Sequence, residues 1–501
     1  MKRTRDHFAI AAVLAAFVAA GSGALAAQDL AGRVKTKTLA NGLTVILVER
    51  HGAPVFSAIY GFKVGSVDEL PGITGTAHLF EHMAFKGTPK IGTSDYEKEK
   101  PVMDEVNRVG RELSLEIVKG DRADPEKLKG LQERLAALEK EQSRYIVKDE
   151  IDQIYNNAGG VDLNAGTGTD STQYVISLPS NRLELFCVME SERIRNAVLR
   201  EFYTERSVIQ EERKQTTEAV PARLLSEMFM GAAFIAHPYK NPVVGWASDI
   251  ASVTLEEAAA FKAKYYTPNN CVLALVGDIR PEAAFPLVER YFGDIPRGEE
   301  PPVLRTVEPK QIGERRVTLE FAAEPRLLIG FHTPPFPSAD NATATVVANI
   351  LSLGRTSRLY KDLVQTKQLA ANVSVGAARP GMRYGNLIMV SAVPRFPHTN
   401  AEVEAAVVEH LERLKAKPVG EKELQKVKNN IAAGYVRSMA SDMGLASTLL
   451  RYQLLFGDWK LYLKAQNMYD AVTAEDVMRF ANTYFTAENR TVAYLVKKAA
   501  R

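Results

Sequence analysis

The chain has 501 residues, with 63 Lys and Arg against 60 Asp and Glu and a formal charge of +3, so it carries neither the basic excess of a nucleic-acid binder nor the charge imbalance of a disordered segment. Its length exceeds what one hydrophobic core serves, and at least two sizeable domains are expected. The two cysteines, Cys187 and Cys271, sit in apolar stretches without metal-type spacing, which points to buried free thiols rather than a disulfide.

Residues 1–27 read as a cleavable export signal: Lys2, Arg3 and Arg5 precede an apolar run over residues 8–20, and Ala24-Leu25-Ala26 supplies the small residues of a cleavage site. The run is too short to span a bilayer comfortably. The expected product is therefore periplasmic or secreted, with no transmembrane segment after cleavage. From Val34 the chain turns to β structure. Residues 36–39 and 43–48 flank Asn41-Gly42, a hairpin signal, and a third strand is expected over residues 55–64. Gly65, Pro71, Gly72 and Gly75 then lead into residues 76–88, T-A-H-L-F-E-H-M-A-F-K-G-T. On a helix, His78 and His82 are four apart and share a face, so both imidazoles can reach one ion. Glu81 stands beside them, and Leu79, Phe80, Met83, Ala84 and Phe85 offer the apolar backing that buries such a helix. The stretch reads as a zinc site with its own base, the plainer alternative being a pair of satisfied core histidines.

Between residues 95 and 151 the composition becomes charged and helical. Val102, Val106, Val109 and Leu113 form one apolar stripe, and Leu128, Leu131, Leu135 and Leu138 form another. Asp124-Pro125 suits an N-cap and first turn, and residues 119–123 suit the connection. A two-helix hairpin inserted into the first domain is expected, as a packed arm in preference to a gate or partner contact. After Gly159-Gly160, two adjacent strands are expected at residues 161–165 and 172–178, then a helix over residues 182–198. The next helix, from Glu201, carries Glu205 and Glu212 two turns apart on one face. A carboxylate here can complete the site, since two histidines and one carboxylate leave a fourth zinc position open for water. The residue types alone do not say which, because Glu211, Glu212 and Arg213 also suit a solvated face.

Val253-Thr254, Glu256, Phe261, Tyr265 and Asn270 recur as Val472-Thr473, Glu475, Phe480, Tyr484 and Asn489, every pair at an offset of 219. The chain is a tandem duplication of α+β halves, residues 34–295 and 314–501, joined by a linker over residues 296–313 that is rich in Pro, Gly and charge. The second half should open with strands at 316–321 and 326–331 and a helix near 342–353. That helix holds no His or Glu where the first half has its His pair. His237, His332, His398 and His410 read as structural.

The segments H-L-F-E-H, N-A-G-T at residues 164–167, E-R-S-V-I-Q-E-E at 205–212 and Y-Y-T-P-N-N-C-V-L-A-L-V-G-D at 265–278 together resemble the pitrilysin/insulinase family of zinc peptidases, most closely its bacterial, processing-peptidase-like members. The resemblance implies two sheet-and-helix roll domains and one Zn2+ per chain. It makes His78, His82 and Glu212 the ligands and Glu81 the base, and matches Glu205 to a carboxylate that supports the ligands. The 130 residues from His82 to Glu212 exceed the family's usual spacing, and the hairpin accounts for the excess. It further implies that a peptide or unfolded polypeptide binds as an added strand near Leu163, Asn164 and Ala165, in a clamshell chamber of several homologous domains. With two domains here, a dimer is expected, and a non-catalytic homologue is preferred to a second copy as partner. The Arg and Tyr, seven apart, that grip substrate in self-sufficient members correspond here to Val364 and Ala371. The alternative activity is that of a non-catalytic clamp or assembly subunit.

Overall fold

The duplication in the sequence is a duplication of sheets. In the computed structural model, which describes residues 30–498, the first half supplies β1 (Val34–Thr38), β2 (Thr44–Glu49), β3 (Val55–Phe62), β4 (Val161–Thr167), β5 (Thr172–Pro179) and β6 (Cys271–Gly277), in the order β1-β2-β6-β3-β5-β4. The second half supplies β7 (Arg315–Phe321), β8 (Arg326–Thr333), β9 (Ala370–Arg379), β10 (Asn386–Pro394) and β11 (Arg490–Lys497), in the order β7-β11-β8-β10-β9. Without β1 the two orders coincide strand for strand. The same neighbours are parallel in each, β2 with β6 and β7 with β11, and the remaining pairs are antiparallel. The fold is thus α+β, two tandem rolls of one design. The export signal expected over residues 1–27 lies outside the described residues. Among the described residues, no helix is long and apolar enough to cross a membrane.

Local chemistry explains the first hairpin. Gly42 takes φ +93°, which a side chain would resist, and the Asn41 amide donates to the carbonyls of Phe292 and Ile295 at 2.8 and 2.9 Å, so the turn is also a clamp on the end of the half. The helical hairpin forms as α2 (Tyr96–Ile117) and α3 (Pro125–Gln142), following α1 (Thr76–Met83). Asp124 caps α3 by accepting from the backbone of Glu126 and Lys127. Val106, Val109 and Leu113 of α2 and Leu135 and Leu138 of α3 are buried in the first half's core, so the two stripes are packing surfaces. Cys187 and Cys271 are buried and unpaired.

The halves exchange helices, which the linear division into residues 34–295 and 314–501 does not anticipate. After α4 (Phe202–Arg213), α5 (Pro221–Ala233) leaves its own half and lays Leu225, Phe229 and Ala233 against Leu328, Ala493 and Leu495 of the second sheet. In the second half, beyond α6 (Ala339–Ser352), α7 (Asp442–Phe456) lays Leu445, Leu449 and Leu450 against Ile46, Ile59, Val272 and Ala274 of the first sheet. The exchange explains why β6 is buried along its whole length while β5 alternates between buried and half-buried residues: β6 is covered on both faces. A polar seam joins the halves beside these helices. Arg383 pairs with Asp68 at 2.8 Å, and Asp170 accepts from the Tyr239 hydroxyl at 2.7 Å and from the Met382 backbone at 2.6 Å. The linker is irregular and exposes Val303, Val307 and Ile312, yet Glu308 fastens it by accepting from the backbone of Ile235, Ala236 and His237 at 2.9 to 3.0 Å.

Candidate metal centre

Helix α1 starts at Gly75, where φ is +87° and an added Cβ would lie 2.6 Å from the Val244 carbonyl. No side chain of the N-cap residue closes this terminus. The buried carboxylate of Glu69 does so instead, accepting from Gly75 and Ala77 at 2.8 Å each. Ala77, Leu79, Phe80 and Met83 are buried, and the Phe80 ring lies 4.0 Å from that of Tyr266. With this face fixed, the 3.6-residue period turns His78, Glu81 and His82 to the half-buried side, the two imidazole centroids 4.8 Å apart.

Helix α4 faces them. Glu212 Oε2 is 3.7 Å from His78 Nε2 and 3.7 Å from His82 Nε2, and the three ligand atoms lie within 4.8 Å of one another. Around a tetrahedral zinc with bonds of about 2.0 to 2.1 Å, ligand atoms lie about 3.4 Å apart, so this set needs side-chain shifts of only tenths of an ångström to a little over one. Two imidazole nitrogens and one carboxylate oxygen suit zinc and leave a fourth position open. Glu211, left as a candidate by its residue type, is exposed and engages Lys214 and Gln215 at 3.3 Å each. Glu205, one helical face with Glu212, accepts from His82 Nδ1 at 3.3 Å and from Lys86 Nζ at 2.5 Å. This carboxylate, together with the 3.7 Å approach of Nε2 to Glu212, orients the His82 ring with Nε2 toward the site.

Burial, and secondarily the neighbouring His82, holds the His78 imidazole down at a pKa of about 4, so it is neutral at pH 7 as a ligand must be. For His82, burial acts downward, but the hydrogen bond and charge of Glu205, with Glu81 and Glu212, raise it overall. Burial raises the Glu81 carboxyl above the ordinary range, with hydrogen bonds from Thr167 and the nearby His82 opposing, which favours proton transfer. Glu205 goes the other way: burial acts upward and is outweighed by its bonds to His82 and Lys86.

His78 and Glu212 border a cleft of about 590 Å³ whose walls include Glu81, Gly166, Thr167, Met230, Tyr239 and Val244. Leu163, Asn164 and Ala165 lie on β4, the edge of the first sheet, and the strand reaches the cleft wall at Gly166 and Thr167. Asn164 Oδ1 accepts from the Ala165 backbone at 2.9 Å. Sequence reading gave no role to Lys86 or Thr167, the first hidden because its partners lie 115 and 119 positions away, the second noted only as the end of the N-A-G-T segment.

A family model described as Insulinase (Peptidase family M16) matches residues 44–103 and 107–246, and one described as Peptidase M16 inactive domain matches residues 252–431. The chain belongs to the insulinase family, M16. Within that family it is similar to the zinc protease PqqE of Helicobacter pylori, 26% identical over 482 residues and 94% of each chain. A solved protease structure from Helicobacter pylori superposes with a TM-score of 0.77 at 25% identity, over 92% of this chain and 99% of that one. The periplasmic protease PqqL from Escherichia coli superposes with a TM-score of 0.68 at 15% identity, over 93% of this chain but 48% of that one. The inactive-domain match covers much of the second half, whose α6 bears no His or Glu.

Proposed function

We propose that the protein is a zinc-dependent metalloendopeptidase that hydrolyses peptides or unfolded polypeptides. The observation that carries the reading is the approach of His78 Nε2, His82 Nε2 and Glu212 Oε2 to one another beside Glu81 at a cleft. Zinc bound by His78, His82 and Glu212 supplies Lewis-acid activation of water and of the scissile carbonyl. Glu81, its carboxyl raised by burial, takes the proton of the attacking water and delivers it to the leaving amine. Glu205 keeps His82 in the tautomer that leaves Nε2 free to bind. Substrate pairs with the free edge of β4 at Leu163, Asn164 and Ala165, which favours extended chains over folded ones. A non-catalytic clamp, the competing role, has no use for a complete ligand trio with a base beside it.

The working unit is two chains in a clamshell, with a non-catalytic homologue preferred over a second copy. In support, this chain spans about half the length of PqqL, and the family resemblance matches Val364 and Ala371 to the Arg and Tyr that grip substrate in self-sufficient members. Export is supported by residues 1–27 and by the periplasmic relative. The test is direct. Purified wild type should hold one zinc per chain and cleave an unstructured fluorogenic peptide, while Glu81→Gln keeps the zinc and loses turnover. Less than one zinc, or equal rates, ends the reading. Full activity as an isolated monomer would end the two-chain part alone.

A further inference from the structure

The helical hairpin has no part in the reaction so far, yet its base is built into the frame of the site. Arg200, fully buried just before α4, uses all five of its N–H donors. Nε and Nη2 grip the Glu99 carboxylate of α2 at 2.6 and 2.9 Å. Nη1 donates to the carbonyls of Lys86 and Ile91 at 2.5 and 3.3 Å, and Nη2 also donates to that of Thr88 at 3.1 Å. Gln142, at the end of α3, donates to the same Glu99 oxygen at 3.0 Å. One guanidinium therefore ties together the hairpin, the loop that leaves α1 and the start of α4.

That loop carries Lys86, four residues past His82. Its ammonium donates to Glu201 at 3.2 Å and to Glu205 at 2.5 Å, and Glu205 holds His82 Nδ1. Without Glu99 the Arg200 charge would be buried without its carboxylate partner. Without Arg200 the Lys86 and Thr88 carbonyls would lose their donor, Ile91 would keep only the Thr88 N–H at 2.8 Å, and the Lys86 backbone would lose its anchor.

We propose that the hairpin is a strut of the metal centre, acting through Lys86 as a positioning residue: Glu99 fixes Arg200, Arg200 fixes the Lys86 backbone, and the Lys86 ammonium fixes Glu205 against His82. The relay sets how α1 and α4 face one another, and hence whether the histidine pair and Glu212 meet. It rests on the zinc reading above. Lys86 touches neither substrate nor ligand, and no step of the reaction passes through it.

The test measures zinc affinity by competition with a chelator, alongside kcat, KM and melting, for wild type, Lys86→Met, Lys86→Arg, Glu99→Gln and the double variant Lys86→Met/Glu99→Gln. Lys86→Met should weaken zinc binding about tenfold or more and lower kcat with KM nearly unchanged. Lys86→Arg, which restores a cation to Glu205, should recover most of both. Glu99→Gln should weaken zinc binding too, but the double variant should bind zinc no worse than Lys86→Met, because both act on one relay. Should Glu99→Gln fail to fold, Gln142→Met at the same contact takes its place under the same rule. Unchanged zinc affinity in Lys86→Met, or losses that multiply in the double variant, overturns the proposal. Failure of wild type itself to bind zinc would instead overturn the reading on which it rests.

Discussion

The two halves place a helix after the same central strand, and the helices have diverged. In the first half α1 is 8 residues long, begins at a left-handed glycine closed by Glu69, and turns His78, Glu81 and His82 toward a cleft. In the second, α6 is 14 residues long, has an ordinary Ser338 cap, and buries Ala342, Ala344, Val346, Val347, Ile350 and Leu351. Under the proposed function one copy gives its helix to chemistry, and the other gives its helix to packing. The second half compensates by covering the first sheet with α7 while receiving α5 on its own. On that reading function is local to one half, while the packing is shared by both.

The sharpest break of this asymmetry is Glu212→Gln. With no His or Glu in α6 to substitute, the chain should lose its zinc and its turnover together, whereas Glu211→Gln should behave as wild type. Zinc loss in Glu211→Gln instead would move the ligand by one position. Next in size is the shared core. Phe229→Ala removes a fully buried ring of the first half from the second sheet and should cost about 3–5 kcal/mol, and Leu450→Ala removes a second-half side chain from the first sheet at about 2–5 kcal/mol. Calorimetry should show both halves melting in one transition in wild type and in both variants. Two separate transitions would show that the exchanged helices do not couple the halves.

Much of this was legible from the residues. The H-x-x-E-H spacing, the Asn41-Gly42 turn, the Asp124 cap and the offset of 219 are each carried by neighbours in sequence or by a repeat, and the elements formed within two or three residues of the expected bounds. The exchange of α5 and α7 was not legible, because an apolar stripe at Leu225, Phe229 and Ala233 is the same stripe whichever sheet it covers. Nor was the choice of Glu212 over Glu211 on residue type alone. It depends on the rotation of α4, which is set by buried Phe202, Tyr203, Arg206 and Ile209. The Glu99–Arg200 pair joins positions 101 apart and leaves no periodic trace.

A smaller effect distinguishes ligand from support. Glu205→Gln should still load with zinc at saturating metal, its affinity down about tenfold like that of Lys86→Met, but lose rate by roughly 10- to 100-fold, since the amide still fills the space beside His82 while lacking the charge. Zinc loss equal to that of Glu212→Gln would erase the distinction. The smallest concerns the seam rather than the site. Burial holds His237 at a pKa of about 4 despite Glu308 and Asp170 acting upward, so in the folded protein it stays neutral to lower pH than in the unfolded chain. As pH falls from about 6.5 to 4 the unfolded state takes the proton first, and stability should drop by on the order of 1 kcal/mol through that window once solvent screening is allowed for. His237→Gln should flatten that part of the melting profile. An unchanged profile would place the acid lability elsewhere.

The central claim is that one half alone holds the metal, between the two helices that carry His78, His82 and Glu212. Anomalous diffraction at the zinc edge from zinc-loaded crystals tests it most directly. The account predicts a single strong peak per chain within bonding distance of His78 Nε2, His82 Nε2 and the Glu212 carboxylate, with none at α6. A peak elsewhere, or zinc-loaded protein with no density between those three side chains, would contradict it.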